Sequence, residues 1–564
     1  MITKIFENQL VKTKITSANV QKKEMLLGYF IGPFIALISN AIFGSYLNRY
    51  YTDVLGTTTW APAFAMLMPI LSVICVVIGN LVVGQLMERT RTSQGKARPF
   101  MLLSAPLVVI AIILLFMAPN DGSVRTLIWV AVSYNLYYAV AYPLFYTSHS
   151  SMVSLSTRNS KHRGMLATFS NAAGVAAVGI GASIIFPLFQ GMLFVTKEGA
   201  VDADASYTAW KTFILILCVV TFIGIVLEYF FTRERITEEN RKLNIKEEQI
   251  PMMQQLKAVV SDRYWWLIIL YFFLFQFGGL VKNGSMTYYC RWMFDAVDEA
   301  TAGGYQATLG LIGGLPTAIG MVLAWPIADK LGKQKAVVAG MAVSVFGGLV
   351  SFLNVHSVLL VCAGVILKGI GSIPAMYVTL ALLSDVLDHL EAKNGFRSDG
   401  FTMSVYGAIM VGLTGLGSGI INAFLGVGGY NASLAVQSET TQRALVICYL
   451  GIELVCYAMI AIMLLFLNVE KHIAENHQKI LENQKASVLA AGGVWIEPAE
   501  RLHMEQMEAD RLAEDTRKAD LRVKCARKGR SFEIEEANYQ AKVAAQKAKE
   551  ADKIKTRKNK NGTK

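Results

Sequence analysis

Long apolar segments recur along most of this sequence, and they limit its fold more than any other feature. A helix of about 20 apolar residues crosses a hydrocarbon core about 30 Å thick. Twelve segments of at least this kind, separated by short polar stretches, lie in the first 470 residues. We therefore predict twelve membrane-spanning helices, called spans 1 to 12 below, at residues 26–50, 60–87, 99–118, 125–150, 164–190, 209–232, 264–290, 305–328, 334–353, 357–383, 400–428 and 443–468.

The composition also indicates a membrane protein. Of the 564 residues, 54% are hydrophobic and only 17% are charged, and the mean hydropathy is +0.42. Soluble domains carry about 25% charged residues. No predicted strand precedes a glycine-rich loop, and the seven Cys show no metal-ligand spacing. We therefore expect no cofactor, no metal and no enzymatic activity.

Lysine and arginine are concentrated in every second connection. They number 24 in the segments 1–24, 88–98, 153–163, 232–263, 329–335 and 385–399, and 5 in the intervening connections. We call the first side of the membrane the basic side and the other the opposite side. Because basic loops stay in the cytoplasm, we predict a multi-pass protein of the cytoplasmic (plasma) membrane with both termini inside. The net charge of +12 follows from this topology and a basic tail, so we expect no nucleic-acid partner.

Two related segments divide the spans into halves. GQLMERTRTSQGKARPF (84–100) follows span 2, and PIADKLGKQKAV (326–337) follows span 8. Both place an acid beside a base at a helix end, then a Gly and further bases. Paired repeats are typical of transporters with a site between the halves. The predicted all-α organisation is a cytoplasmic N-terminus at 1–24, six-helix bundles at 25–232 and 264–468, a cytoplasmic linker at 233–263 and a charged helical tail in the cytoplasm at 469–564.

Three motifs together resemble a known family over roughly residues 25–468. They are YYTDVLG (50–56), ERTRTSQGKARP (88–99) and DVLDHLEAKNGFRSDG (385–400). In this order and spacing they are similar to the glycoside-pentoside-hexuronide:cation symporter family. This family is a branch of the major facilitator superfamily and includes the melibiose permeases. The resemblance implies the major facilitator fold, twelve membrane helices in two bundles, and secondary transport of sugars.

Charged residues cluster on the basic side, after spans 2 and 10. Three acids of the second cluster recur every third residue and would share one helix face. A carrier needs bonds that hold its mouth shut in one state and break in the other, and exposed charge pairs are weak enough for this. The predicted gate consists of Glu88, Arg89, Arg98, Asp385, Asp388, Glu391 and Arg397. A solvated loop that only fixes the topology is the alternative.

Polar groups inside spans are costly and mark solute pathways. Lys368 lies near mid-span and should face a cavity, an acid or a carbonyl, and Glu453 is a further charge in span 12. Tyrosines at steps of four in span 4 offer a sugar an apolar face with a polar edge, although packing also explains such a stripe. The candidate substrate-binding residues are Asn40, Asn80, Tyr138, Tyr142, Asn171, Lys282, Asn283, Lys368, Tyr377 and Tyr406. We interpret Arg49, His149 and Glu228, near span ends, as reaching interfacial water.

The resemblance also exposes a difference at the expected ion site. It implies two Asp on span 2, four and eight residues before Gly84, where this chain has Asn80 and Val76. The acids implied on spans 1 and 4 and the Lys implied on span 11 correspond to Leu37, Ala141 and Val411. Carboxylates are the usual groups that hold such ions. No residue is therefore assigned to coupling with Na⁺ or H⁺. Lys282 and Lys368, the two lysines deep in the spans, suit an acidic substrate such as a uronide.

The leading interpretation is a bilayer-embedded secondary transporter of glycosides or related sugars, including pentosides and hexuronides, with Na⁺ or H⁺ as the candidate coupling ion. Three alternatives stay open. They are an uncoupled facilitator, a carrier of lysolipids or other amphipathic solutes, and a sugar sensor that signals through residues 469–564 to a cytoplasmic partner. Deletion of the tail separates the sensor from the transporters, because uptake would survive the deletion only in a transporter.

Overall fold

A computed structural model describes most of the chain. The described residues are 11–15, 17, 20–90, 92–157, 160–197, 200–235, 252–395, 399–434 and 436–490, with parts of 495–541. Side chains at some helical positions, among them 88, 89, 317–319, 321–326 and 377, lie outside the described set. The chain forms two compact units, Met1–Thr16 with Gln21–Ala486, and Ser17–Val20 with Ser487–Lys564.

Helices lie at the positions of the predicted spans. Span 1 consists of Glu24–Ile31, Gly32–Arg49 and Tyr50–Val54, span 2 of Pro62–Arg89, and span 3 of Arg98–Phe116. Span 4 consists of Val124–Asn135, Leu136–Ala141 and Tyr142–Ser156. Span 5 consists of Ser160–Ala176, Ala177–Ile185, Phe186–Phe189 and Gln190–Leu193, and span 6 of Ala203–Phe230. Span 7 is Arg263–Trp292, span 8 is Glu299–Leu331, and span 9 is Lys333–Phe352. Span 10 is Val358–Asn394 and span 11 is Asp399–Gly428. Span 12 consists of Glu439–Val446, Ile447–Gly451 and Ile452–Leu464. Within the described residues, eleven of these spans are long and apolar enough to cross a membrane. Span 8 is not among them, and several of its side chains lie outside the described set.

Shorter elements connect the spans. Short helical turns occur at Thr57–Trp60 and Val469–His472, a nine-residue helix at Met252–Val260 precedes span 7, and a helix at Ile473–Ala490 follows span 12. An antiparallel pair of two-residue strands, Thr196–Lys197 and Ala200–Val201, joins spans 5 and 6, with Thr196 opposite Val201. The spans therefore make up most of the first compact unit.

Side-chain caps fix where several spans begin. The carboxylate of Asp262 accepts from the backbone N–H of Tyr264 at 2.9 Å, and that of Asp298 from Thr301 at 2.7 Å. Ser438 caps span 12 in the same way, accepting from Thr441 at 3.2 Å. The first N–H groups of a helix have no partner inside it, so such caps define its start.

Segments of π-helix interrupt four of the spans, spans 1, 4, 5 and 12, in the described part of the chain. Such widened turns often occur at functional sites, because they turn the following side chains to a new direction. Leu136–Ala141 of span 4 contains one predicted site tyrosine, Tyr138, and Ile447–Gly451 of span 12 ends two residues before Glu453.

The apolar residues of the C-terminal half (spans 7–12) form two buried clusters. One lies toward the basic side and includes Tyr264, Trp265, Leu382 and Leu467. The other lies toward the opposite side and includes Tyr288, Tyr289, Leu425 and Tyr449. Lys368 and Glu453 lie between the two clusters along their spans, so the charged groups occupy the boundary of the two apolar layers.

Glycines allow close contacts between the two halves. A Cβ at Gly303 of span 8 would overlap the carbonyl oxygen of Pro187 in span 5, and one at Gly415 of span 11 would overlap that of Pro69 in span 2. Small residues let membrane helices approach at backbone distance. Spans 5 and 8, and spans 2 and 11, are therefore packed against each other across the halves.

The second compact unit contains ion pairs of its own. Arg517 donates to Glu536 at 2.7 Å, and its guanidinium lies 4.0 Å from the ring centroid of Tyr539. The pair is part-buried, and ion pairs near a protein surface contribute about 1 kcal/mol or less.

Candidate functional site

Three charged side chains meet in the middle of the C-terminal half. The Lys368 ammonium donates to Glu453 Oε2 at 2.6 Å, and Lys282 Nζ lies 3.3 Å from Glu453 Oε1. Tyr457 also donates to Glu453 Oε1, at 2.9 Å. Of the three predicted partners for Lys368, a cavity, an acid or a carbonyl, the structure shows an acid. We call Lys282, Lys368 and Glu453 the charged triad, which carries one excess positive charge when all three groups are ionised.

The three members of the triad differ in exposure. The side chains of Lys368 and Glu453 are 5% and 1% exposed, whereas that of Lys282 is 27% exposed. Both oxygens of Glu453 are used by the contacts within the cluster. Since an ammonium has three donors, Lys282 keeps donors for a further acceptor. Lys282 is therefore the member that can reach a solute.

Polar and aromatic residues of the N-terminal half (spans 1–6) form a second part of the site. Tyr137 donates to Asn40 Oδ1 at 3.5 Å, and its ring lies 5.8 Å from that of Tyr142. Tyr134 and Tyr138 have ring centroids 4.6 Å apart. A small cleft connects spans 2, 4 and 11 at Pro69, Val73, Val76, Tyr134, Tyr138, Gly412 and Gly415. The tyrosine stripe thus faces the boundary between the halves.

Other predicted site residues lie apart from these groups. Asn80 donates to the Val76 carbonyl of its own helix at 2.8 Å, and Asn171 is exposed. Asn283 is half-buried beside Lys282 in the chain. Tyr406 stacks on Phe272 with a centroid distance of 3.6 Å. The side chain of Tyr377 lies outside the described residues.

A buried network of charges joins the two halves on the opposite side. Arg49 of span 1 donates from Nη2 to Glu299 Oε1 at 2.7 Å and from Nε to Asp53 Oδ2 at 2.8 Å. Arg291 of span 7 also donates to Glu299 Oε1, at 3.0 Å. We call Arg49, Asp53, Arg291 and Glu299 the lock. Its two cations and two anions balance.

Uncharged partners complete the lock. Gln190 donates to Glu299 Oε2 at 2.7 Å, and Tyr430 donates to Asp53 Oδ1 at 3.0 Å. Nearby, Asn48 donates to Asn422 Oδ1 at 2.8 Å, again across the halves. Arg49 is fully buried, so the interpretation that it reaches interfacial water is wrong. The lock seals the opposite side with bonds from both halves.

Two described carboxylates of the basic side each contact the repeated loop of their own half. Glu234, after span 6, accepts from the backbone N–H groups of Lys96, Ala97 and Arg98 at 2.9, 2.9 and 2.7 Å. Glu470, after span 12, accepts from those of Lys333 and Gln334 at 2.8 and 3.0 Å. Two carboxylates at corresponding places therefore cap the helices that follow the two repeated loops.

The predicted gate residues are distributed over both halves of this side. Arg98 is buried and donates to Gln94 at 2.7 Å and to the Tyr229 carbonyl at 3.0 Å. Asp385 pairs with Lys333, and Asp388 lies 3.2 Å from His477. Glu391 is half-buried on the same helix as these two acids. The side chains of Glu88 and Arg89, and residue Arg397, lie outside the described residues.

A further buried pair lies in the N-terminal half. His149 Nδ1 of span 4 lies 2.7 Å from Glu228 Oε1 of span 6, and the side chains are 8% and 1% exposed. Ser170 Oγ of span 5 lies 3.4 Å from His149 Nε2. The interpretation of His149 and Glu228 as interfacial is therefore wrong. The pair lies inside the bundle, because both side chains turn toward neighbouring helices.

Sequence reasoning missed the lock and the acid of this pair as functional groups. Asp53 was visible in YYTDVLG, four residues after Arg49, a spacing that places opposite charges side by side on a helix. Arg291 was counted only among the Lys and Arg of a connection, and Glu299 was not considered. No local signal links them to Arg49, since their spans are far apart in the chain.

The fold and the site define a class of protein. Helices long enough to cross a membrane form two halves, one face is sealed by bonds between the halves, and polar, aromatic and charged groups lie at mid-span. This is the arrangement of a major facilitator transporter. The chain belongs to the family described as MFS/sugar transport protein, which matches residues 28–471. The resemblance to glycoside-pentoside-hexuronide symporters is thereby confirmed.

Several named proteins are similar over most of the chain. The isoprimeverose transporter of Lactiplantibacillus pentosus is 26% identical over 453 residues, covering 78% of this chain and 88% of its own. A putative glycoside/cation symporter of Escherichia coli is 26% identical over 430 residues, covering 74% and 86%. The glucuronide carrier protein homolog of Escherichia coli is 22% identical, covering 77% and 91%.

Solved structures share the fold at low sequence identity. A bacterial homologue of the human lysosomal transporter Spinster has a TM-score of 0.52 at 13% identity, covering 82% of this chain and 99% of its own. The nucleoside transporter NupG has a TM-score of 0.51 at 10% identity, covering 78% and 99%. Both likenesses support the major facilitator fold and say nothing of the solute.

Proposed function

We propose that this protein carries glycosides or related sugars, including pentosides and hexuronides, across the cytoplasmic membrane by alternating access. One observation carries the proposal most: the lock closes the opposite side between the halves, while sugar-binding types of side chain lie at mid-span below it. A carrier must close one mouth while its site opens to the other. We further propose that this conformation opens toward the basic side.

Two contacts of described residues on the basic side support this direction. The pairs of Asp385 with Lys333 and of Arg98 with Gln94 each lie within one half. In the other state, the proposed gate would exchange such pairs for bonds between the halves. The Asp385–Lys333 charge pair is partly exposed, and such pairs differ little in free energy between two arrangements, so it suits an exchange of this kind.

The substrate is proposed to bind between the triad and the tyrosine stripe. Lys282 offers free donors, Asn40 offers an amide, and the rings of Tyr138 and Tyr142 offer apolar faces. A sugar needs hydrogen bonds to its hydroxyls and apolar contact with its C–H faces. The relatives named for isoprimeverose, glycosides and glucuronide support a panel of such compounds as test solutes. We expect no covalent chemistry on the solute.

Counterflow in proteoliposomes tests the proposal. Vesicles are loaded with unlabelled melibiose, methyl β-xyloside or methyl β-glucuronide and diluted into the labelled compound. Transport predicts a transient rise of label inside, which empty vesicles lack. No exchange of any of the three sugars, with lysophospholipid moved instead, would overturn the substrate class.

Orientation is proposed from the charges and has its own test. A Cys introduced in the loop 119–123 should react with an impermeant thiol reagent from outside intact cells. A Cys introduced at Gly395 should not react until the cells are opened. The reverse pattern would overturn the proposal that both termini are cytoplasmic.

A further inference from the structure

The His149–Glu228 pair differs from the other buried carboxylates of the described span helices. Those others each face a Lys or Arg: Glu24 with Arg235, Asp53 and Glu299 with Arg49, Asp385 with Lys333, and Glu453 with Lys368. The partner of Glu228 is an imidazole, which changes its charge near neutral pH. Among these groups, the pair is thus the one without a permanent cation.

One oxygen of this carboxylate is unpartnered. Glu228 Oε1 lies 2.7 Å from His149 Nδ1, whereas the buried Oε2 accepts no hydrogen bond from any described residue. With a neutral imidazole, the pair carries one uncompensated negative charge in a low-dielectric interior, which is costly. One added proton makes the pair neutral overall. Burial therefore favours a single proton bound by this pair.

Within the described part of the chain, no other charged side chain hydrogen-bonds the Glu228 carboxylate. Span 1 contributes Tyr29 and the paired Glu24, span 5 contributes Ser170, and span 3 contributes Arg98. The Arg98 guanidinium donates to the carbonyl of Tyr229 and to Gln94, and the Glu24–Arg235 pair is neutral. On its own helix His149 contacts the rings of Phe145 and Tyr146.

The pair also touches the helix that carries other parts of the transport path. Gly32 of span 1 packs on the backbone of Glu228, where an added Cβ would lie 2.8 Å from the Glu228 nitrogen. Span 1 carries Asn40 in the proposed sugar site and Arg49 in the lock. A change of charge at Glu228 therefore acts on a helix common to both.

We propose that His149 and Glu228 form the proton-binding site that couples sugar transport to the proton gradient. This inference rests on the proposed function. His149 donates through Nδ1 to Glu228, and the incoming proton binds Nε2, beside Ser170. One proton enters when the site opens to the opposite side and leaves on the basic side with the sugar. The positions of the expected span 2 carboxylates, Val76 and Asn80, take no part.

The test compares coupled and uncoupled transport of the same three sugars. Glu228→Gln and His149→Gln are reconstituted beside the wild type. Accumulation is measured under an imposed pH gradient, inside alkaline, and counterflow is measured without a gradient. We expect both variants to retain counterflow and to lose all accumulation above the external concentration. Sugar-driven proton entry, read by a pH dye inside the vesicles, should be lost as well.

A matched pair elsewhere in the chain provides the control. His472 and Glu475 form an exposed contact at 3.5 Å, so the double variant His472→Gln with Glu475→Gln should accumulate sugar as the wild type does. Glu228→Asp, which keeps the carboxylate, should restore part of the coupling. This variant distinguishes lost coupling from a damaged fold.

Accumulation that persists in Glu228→Gln would overturn the inference. The inference would also be overturned if the wild type shows counterflow but its sugar accumulation does not depend on the proton gradient. That result would leave the proposed transport function intact. Absence of wild-type counterflow would instead overturn the proposed function and this inference with it. If both variants misfold, the heat of sugar binding to the wild type is measured by calorimetry in two buffers of different ionisation enthalpy. Equal heats in both buffers would refute linked proton binding.

Discussion

Arg49 and Glu299, which are 250 residues apart, form a buried ion pair between the two halves with an Nη2–Oε1 distance of 2.7 Å. Arg291 and Asp53 hold the same two groups from either side. The Arg49–Glu299 bond exists only while the halves touch on this side, whereas Arg49–Asp53 and Arg291–Glu299 each lie within one half. Opening this side therefore requires the pair to separate and each charge to find water or another partner.

Removing one charge of the lock should open the opposite side. We expect Arg49→Gln or Glu299→Gln to destabilise the closed state by about 3–5 kcal/mol, because each leaves a buried charge uncompensated. The measurement is labelling of a Cys at Asn283 by an impermeant thiol reagent from the opposite side. The exposed Cys75 is first replaced by Ser. Unchanged labelling in both variants would contradict the role of the lock.

Two adjacent glycines of span 8 allow a test of whether backbone contact between spans 5 and 8 stabilises the closed state. A Cβ at Gly303 would overlap the Pro187 carbonyl, whereas one at Gly304 meets no atom within 4 Å. We expect Gly303→Ala to favour the state open to the opposite side and to slow counterflow, while Gly304→Ala behaves as the wild type. Thiol labelling and counterflow rates check this. Equal effects of the two substitutions would rule out backbone contact as the cause.

Substitutions in the charged triad should change sugar affinity and protein stability separately. We expect Lys282→Gln to weaken sugar binding by about 10-fold, equal to about 1.4 kcal/mol, with little change in the melting temperature. Lys368→Met should lower the melting temperature instead, because it removes the closest cation from a buried carboxylate. Equilibrium binding and thermal unfolding in detergent measure the two effects. A change of both quantities to the same extent in each variant would count against this division of roles.

The two helix caps of the basic side should contribute alike to stability. Glu234→Ala and Glu470→Ala each remove a carboxylate that accepts from helix N-terminal N–H groups, which costs about 1 kcal/mol. Glu439→Ala, an exposed residue paired with Arg443, serves as control and should change stability by less than about 0.5 kcal/mol. Thermal unfolding of the three variants is the measurement. A large effect in one half alone would show that the two caps are not equivalent.

Asp262, which begins span 7, should make stability depend on pH. Burial raises the pKa of this carboxyl, but hydrogen bonds from His389 and Lys393 outweigh it and hold the pKa well below its ordinary 3.8. A lowered pKa gives stability that is present above the ordinary value and lost as the pH falls below about 4. We expect Asp262→Asn to be less stable than the wild type at neutral pH. The difference should shrink between about pH 5 and about pH 3. A constant difference would contradict the ionised state of Asp262.

The sequence by itself predicted most of the architecture. Apolar length predicts the spans, because a helix in a hydrocarbon core must satisfy its backbone internally. The uneven distribution of Lys and Arg predicts the two sides, and the repeated segments after spans 2 and 8 predict the halves. Lys368 was recognised as needing a partner, since an unpaired ammonium at mid-span is too costly.

The tertiary structure alone decided which charges meet. Glu453 is 85 residues from Lys368, Glu299 is 250 from Arg49, and Glu228 is 79 from His149. Local pattern shows that a side chain is charged and near a span end, but not which way it points. That direction depends on the rotation of each helix against its neighbours, which is set by packing between distant segments. For this reason the sequence placed three buried charges, Arg49, His149 and Glu228, in interfacial water, and the packed helices enclose them.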